Sequence, residues 1–125
     1  MNTKLPLSPH LQIYKMPLTG LLSITHRMTG AVVSLGALLM VFVLVSVASG
    51  PEGYVQMQKH LSAWYGQIFL LAFTFALYFH FCNGIRHLIW DAGWGYELET
   101  VRKSSLATIA ATVVLTLVTW LVAIL

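Results

Sequence analysis

The run Ala76-Leu77-Tyr78-Phe79-His80-Phe81-Cys82-Asn83-Gly84-Ile85-Arg86-His87-Leu88-Ile89-Trp90-Asp91-Ala92-Gly93 sets His80 among apolar and aromatic side chains, before any formal charge appears at Arg86. Upstream of it the chain is free of Asp, Glu, Lys and Arg from Leu61 to Ile85. At about 1.5 Å of rise per residue such a helix reaches about 37 Å, enough to cross a hydrocarbon core of about 30 Å with some tilt. An imidazole inside a span of this kind is costly unless it has a partner, so His80 marks a candidate functional site.

Outward from this run the same signal recurs twice. An uncharged stretch follows Arg27 and continues to Gly50, so residues 21–48 read as a first span with Ser23, His26 and Arg27 in its first two turns. Residues 104–125 are again uncharged and read as a third span. Residues 61–85 are the second. The expected fold is therefore an all-α membrane protein with three transmembrane helices.

Between the spans, Gly50-Pro51-Glu52-Gly53 reads as a break, and the segment up to His60 as a short, polar, interfacial loop. Residues 91–104, with Asp91, Glu97, Glu99, Arg102 and Lys103, read as the second loop. Residues 1–20 contain Pro6, Pro9, Pro17 and Gly20, which oppose a long helix and point to an irregular segment on the membrane surface or against a partner. No apolar signal core and no Arg-rich transit pattern precede residue 20, so the first span is read as the inserting segment of a mature chain. That favours a bacterial cytoplasmic (inner) membrane over a mitochondrial one.

Composition agrees with this. Of 125 residues 58% are hydrophobic and 9% charged, with a mean hydropathy of +0.77, far from the soluble average of roughly a quarter charged. The net charge of +3 comes from Lys and Arg scattered along the chain, without the basic run that nucleic acid would require. With three spans, Lys4, Lys15, Arg27, Arg86, Arg102 and Lys103 fall at one membrane face and Lys59 alone at the other. The positive-inside rule makes the first face, which holds the N-terminus, cytoplasmic, or matrix in a mitochondrion. The single cysteine, Cys82, forms no internal disulfide and reads as a small packing residue.

Helical spacing assigns faces. On the first span Ser23, Arg27, Gly30, Ser34 and Ala37 form a small and polar stripe, the type of face that allows close helix contact in lipid. On the second, Ser62, Gly66, Phe69, Phe73, Ala76, His80, Gly84 and His87 align, and on the third Thr108, Thr112, Thr116 and Thr119. The polar clusters of the first two spans fall at the same membrane face, with His80 about 9 Å deeper than Arg86. Trp64, Trp90, Trp94 and Trp120 read as interface anchors, and His60 as a surface residue without a companion.

Two readings of His80 stand side by side: an imidazole hydrogen-bonded to a carbonyl or a neighbouring helix, or an axial haem ligand with Gly84 leaving room for a flat macrocycle. Two-histidine ligation requires a second histidine. His26 and His87 sit nearer the interface, where they and Arg27 would more easily meet propionates, so a partner chain fits better as the source. Ser23 and Arg27 read either as a helix cap with a snorkelling arginine, or as a pair one turn apart that donates to a quinone carbonyl.

The segments Ser8-Pro9-His10-Leu11-Gln12-Ile13-Tyr14 and Ser23-Ile24-Thr25-His26-Arg27-Met28-Thr29-Gly30, followed by His80, Gly84, Ile85, Arg86, His87, Trp90, Asp91 and Gly93, resemble the two signatures of the succinate dehydrogenase cytochrome b family. These are the haem-bearing membrane anchors of respiratory complex II. The likeness covers nearly the whole chain, and departs from the family at Leu5, where arginine is usual. It implies a haem b with His80 as axial ligand to the iron and the opposite ligand from a second anchor, the two anchors forming a heterodimeric helical bundle. It further implies a ubiquinone site at Ser23 and Arg27, and haem propionates near His26 and His87. The implied partners are a flavoprotein with FAD, an iron-sulfur protein carrying the iron-sulfur clusters, and the second anchor. This chain would hold no succinate, no catalytic residue of its own and no independent activity. Other readings are a fumarate reductase anchor, a purely structural anchor without cofactors, and a small transporter. The transporter is disfavoured because no ionisable relay crosses the opposite half of the bilayer.

Overall fold

The computed structural model describes residues 14–125. Lys4, Leu5 and the part of the first signature in residues 8–13 lie outside the described residues, as does most of the expected irregular segment. Four helices follow in chain order: α1 (Leu18–Ala48), α2 (Pro51–Ser62), α3 (Trp64–Asp91) and α4 (Leu98–Ile124). No strand occurs among the described residues. Three of them, α1, α3 and α4, are long and apolar enough to cross a membrane. Each would extend more than the roughly 30 Å of a hydrocarbon core.

α3 is the middle of the bundle, antiparallel to α1 on one side and to α4 on the other. Gly30 and Gly36 of α1 face His80 and Phe73 of α3 in reverse order, and Arg86 and Tyr78 of α3 meet Ser105 and Thr119 of α4 likewise. The burial pattern is inverted relative to a soluble protein. The buried set includes Thr29, Asn83, Arg86, Ser105, Thr108, Thr112 and Thr116 beside only a few apolar residues such as Leu22 and Phe79, whereas many large apolar side chains of all three spans are exposed. Such an exterior is compatible with lipid, and small hydroxyl residues inside let the backbones approach. The threonine row of α4 packs as the spacing indicated, except that Thr119 lies at its exposed edge, where its hydroxyl is 2.7 Å from that of Tyr78.

Three local features depart from the sequence reading. The segment expected as a loop after the first span is helix α2. Pro51 stands at its first turn, where the missing N–H is no loss, with Glu52 at the N-terminal end and Lys59 and His60 at the C-terminal end, complementing the helix dipole. Gly50, at φ 90°, makes the turn, so Gly-Pro here opens a helix rather than only ending one.

The stripe assigned to α1 is rotated. Leu22 and Thr29 are buried and His26, Val33 and Gly36 half-buried, while Arg27, Ser34 and Ala37 are exposed and Ser23 and Gly30 lie at the margin. The reason is that α3 presents rings: a Cβ on Gly36 would overlap the Phe73 ring, and one on Gly30 would lie 2.9 Å from His80 Cε1. Large side chains of α3 fill the notches of two glycines, and the α1 face turns to meet them.

The third departure is at the ends. α3 runs past Arg86 to Asp91 and stops in a Schellman turn, with Gly93 N–H donating to Trp90 O at 2.8 Å and Trp94 N–H to Ile89 O at 3.2 Å. Gly93 sits at φ 88°, where a side chain would be strained. α4 begins at Leu98, so part of the expected second loop is helical, with Glu99 and Lys103 paired one turn apart at 2.7 Å.

Candidate functional site

His80 is positioned by α3 and received by α1. Its Nδ1 lies 3.1 Å from the carbonyl oxygen of His26 and 3.5 Å from Thr29 Oγ1. The backbone acceptor requires an N–H on Nδ1, which leaves Nε2 with the free lone pair. One face of the ring is covered by His26, with centroids 4.1 Å apart and planes 6° apart. His87, two turns along α3 from His80, lies 5.2 Å from the His26 ring and has Trp90 edge-on at 5.2 Å. Three histidines are thus brought into one cluster at one end of the bundle.

The cluster is not a metal site in itself. Among the described residues no group of three or more His, Cys, Asp or Glu side chains is arranged to hold a metal ion. Face-to-face rings keep their in-plane lone pairs side by side, whereas two axial ligands of one iron must point at each other. His26 and His80 therefore cannot be the two axial ligands of the same haem in this arrangement. The His80 ring, held by its stack, with Nδ1 engaged by a carbonyl and Nε2 uncommitted among the described residues, fits a single haem ligand. Among the described residues His26 Nδ1 is buried without a hydrogen-bond partner, a polar atom left over beside that ring. The residues present fit a haem held from one side.

Ser23 and Arg27 lie one turn apart on α1, Ser23 half-buried and Arg27 exposed. They lie at the same end of α1 as His26, at the margin of the face that meets α3 (Ser23) and outside it (Arg27). Gly84 faces the same cluster: a Cβ there would meet only His26 Cε1, at 3.9 Å. Thus His80, His26, His87, Ser23 and Arg27 share one end of the molecule, as their spacing indicated.

The sequence marks Arg86 as a topology charge and a member of the second signature, and the structure makes it a second polar centre. It is 5% exposed, and its guanidinium donates to Ser104 Oγ at 3.0 Å, Ser105 Oγ at 2.9 Å, Asn83 Oδ1 at 3.2 Å and Val101 O at 3.4 Å. Trp90 covers it, with the guanidinium carbon 4.1 Å from the ring centre. Trp90 is therefore not simply an interface anchor; its indole N–H donates to Gly95 O at 3.2 Å, and its carbonyl accepts from Tyr96. Asn83, four residues before His87 and three before Arg86, was the available signal, since an amide one turn from an arginine can share its charge. Arg86, Trp90, Cys82, Ser104 and Thr108 also line a groove of about 380 Å³ between α3 and α4, on the other side of α3 from His80.

Elsewhere, Trp64 and Trp94 are well exposed, as interface anchors require, and Trp120 is half-buried. His60 is exposed but has a companion: its Nδ1 lies 2.8 Å from the Tyr65 hydroxyl. Asp91 is exposed, and the ion pair found among the described residues is Lys103 with Glu99.

Comparison with known proteins is concordant along the chain. Residues 1–119 match the family model described as succinate dehydrogenase/fumarate reductase transmembrane subunit. A succinate dehydrogenase cytochrome b556 subunit of Paracoccus denitrificans is 41% identical over 117 residues, covering 94% of this chain and 90% of the relative. The cytochrome b560 subunit of Reclinomonas americana is 33% identical, covering 98% and 88%. The mitochondrial cytochrome b560 subunit of Sus scrofa is 34% identical, covering 90% and 68%.

Proposed function

The chain belongs to the succinate dehydrogenase/fumarate reductase transmembrane subunit family, and from that premise we propose that it anchors a succinate:ubiquinone oxidoreductase in the membrane, holds one side of a haem b and contributes to the ubiquinone-reduction site. Membership makes it a membrane subunit of an oxidoreductase complex. Its partners in this reading are a flavoprotein with FAD, an iron-sulfur protein and a second anchor. Succinate oxidation belongs to the flavoprotein, and the membrane is the bacterial inner membrane, with the histidine end of the bundle on the cytoplasmic side. Lys15, Arg27, Arg86, Arg102 and Lys103 lie at that end and Lys59 at the other, which supports the orientation.

The observation that carries the haem assignment is the His80 ring, with Nδ1 against the His26 carbonyl and Nε2 uncommitted. His80 would hold the iron through Nε2. His26 and His87 would lie near the propionates, where imidazole N–H groups donate to carboxylate oxygens. When bound, a haem supplies a one-electron store beside the quinone. The stacking of His26 on His80 argues against His26 as a second ligand and supports the reading that a partner anchor would supply it.

Ser23 and Arg27 would act on the quinone. A hydroxyl and a guanidinium one turn apart can donate to one carbonyl oxygen and fix the ring. As electrons arrive, negative charge develops on that oxygen, and the Arg27 cation favours it more than the neutral carbonyl. Exposure of Arg27 on the outer side of α1 suits a site shared with other subunits.

The test is the purified complex. Three co-purifying subunits with a b-type reduced-minus-oxidised spectrum support the reading. A complex containing the chain but no haem would make it a purely structural anchor.

A further inference from the structure

We propose that Thr29, Gly30 and the His26 carbonyl form a seat on α1 that fixes which His80 nitrogen is presented to a metal centre, and so act as positioning groups for the ligand. This rests on the reading of His80 as the axial ligand and goes beyond it, because the seat belongs to a different helix from the histidine.

A neutral imidazole carries one N–H, and its neighbours decide where. The His26 carbonyl, 3.1 Å from Nδ1, can only accept. Thr29 Oγ1, at 3.5 Å, commits its own proton to α1, donating to Thr25 O at 2.9 Å or His26 O at 3.0 Å. It therefore turns a lone pair toward the ring. Two oxygens and no donor face Nδ1, so the proton belongs there and Nε2 is bare. Acceptors on the far N–H also raise the basicity of the ligating nitrogen.

Gly30 makes this approach possible. A Cβ at Gly30 would stand 2.9 Å from His80 Cε1 and 3.4 Å from Nδ1, but 3.9 Å from Nε2. The first is too close, the second lies at the near limit of ordinary contact and the third well within it. A methyl there would press on the edge of the ring that reaches the two oxygens. His26 covers one face of the ring at 4.1 Å, so the ring cannot move toward that side. It must rotate or withdraw, losing the acceptors that set the tautomer.

The assembled complex carrying Thr29→Val, Thr29→Ser, Gly30→Ala, Gly36→Ala or His80→Ala tests this, read by haem content, haem midpoint potential and the electron paramagnetic resonance spectrum of the oxidised haem. Thr29→Val keeps size and removes the oxygen. It should retain haem while the potential moves upward, since a less basic ligand stabilises the oxidised iron less, and Thr29→Ser should return it to the wild-type value. Gly30→Ala should lose haem severalfold or alter the resonance spectrum. Gly36→Ala drives a methyl into Phe73 in the same seam and should leave the potential unchanged. If Gly30→Ala fails to assemble, Thr29→Val and Thr29→Ser decide. Wild-type potential in Thr29→Val, or an equal shift in Gly36→Ala, overturns the seat while haem loss in His80→Ala preserves the ligand. Haem retained in His80→Ala overturns the ligand itself.

Discussion

The imidazoles of His26 on α1 and His80 on α3 lie face to face, 4.1 Å apart and 6° from parallel. This stack joins two helices that also meet there through Thr29, Gly30 and His87, and it brings beside His80 a histidine that sequence spacing places nearer the interface. His80 has its Nδ1 satisfied; His26 has its Nδ1 buried and, among the described residues, unpaired. A stack of aromatic rings contributes about 0.5–1.5 kcal/mol beyond its area burial. His26→Phe preserves the stack and removes the nitrogens. The expected result is a complex that keeps its haem with an altered midpoint potential, measured by redox titration. Loss of haem to the extent seen on removing His80 would make His26 a ligand.

Arg27 is exposed on α1 and Ser23 half-buried at the margin of its packed face, so truncating Arg27 removes little packing within the chain. Arg27→Ala should lower succinate:quinone reduction by about a hundredfold, the usual loss when one donor to a developing negative oxygen is removed. Ser23→Ala should cost less, having no charge. Succinate oxidation measured with a water-soluble acceptor that bypasses the membrane should be nearly unchanged in both. Equal losses in the two assays would mean defective assembly rather than a quinone site.

Arg86 holds α3 to α4 through Ser104, Ser105 and Val101, with Asn83 beside it. Its partners are neutral, so removing one leaves a buried donor unmet. Ser105→Ala should destabilise the complex by about 1–3 kcal/mol, and Arg86→Ala, which also empties the space under Trp90, by more. Thermal inactivation in detergent is the measurement. An unchanged midpoint in Arg86→Ala would show that the network contributes nothing.

The threonines of α4 divide by partner. Thr112 donates to Thr108 O in its own helix at 2.8 Å, so Thr112→Val loses no contact between helices and should shift stability little. Thr112→Leu adds volume at a fully buried position and should cost about 1–3 kcal/mol. Thr119→Val removes the Tyr78 contact, worth about 0.6 kcal/mol for a typical bond between membrane helices. Unfolding in mixed micelles distinguishes the three.

Much of this was legible in the sequence. Uncharged runs located the three spans because lipid penalises charge heavily, and His80 stood out for the same reason. The threonine row of α4 was legible because burial there follows helical period. Helix α2 was not, because Gly50-Pro51 is a break for the preceding helix and a good start for the next, and local composition does not choose. The α1 stripe was rotated because spacing gives rows of residues but not the neighbour each row meets; that depended on Phe73 and His80 filling Gly36 and Gly30. The role of Arg86 was hidden because Ser104 and Ser105 lie across a turn of the chain. The acceptor for His80 was hidden for a deeper reason: it is a backbone carbonyl, which no residue type announces.

One spectrum bears on all of this, the reduced-minus-oxidised difference of the assembled complex carrying His80→Ala, normalised to the flavin of the partner subunit. If His80 is the axial ligand, the b-type signal is lost or its low-spin character disappears, while the flavin remains. A wild-type spectrum in that variant would contradict the assignment and return His80 to a hydrogen-bonded histidine between two membrane helices.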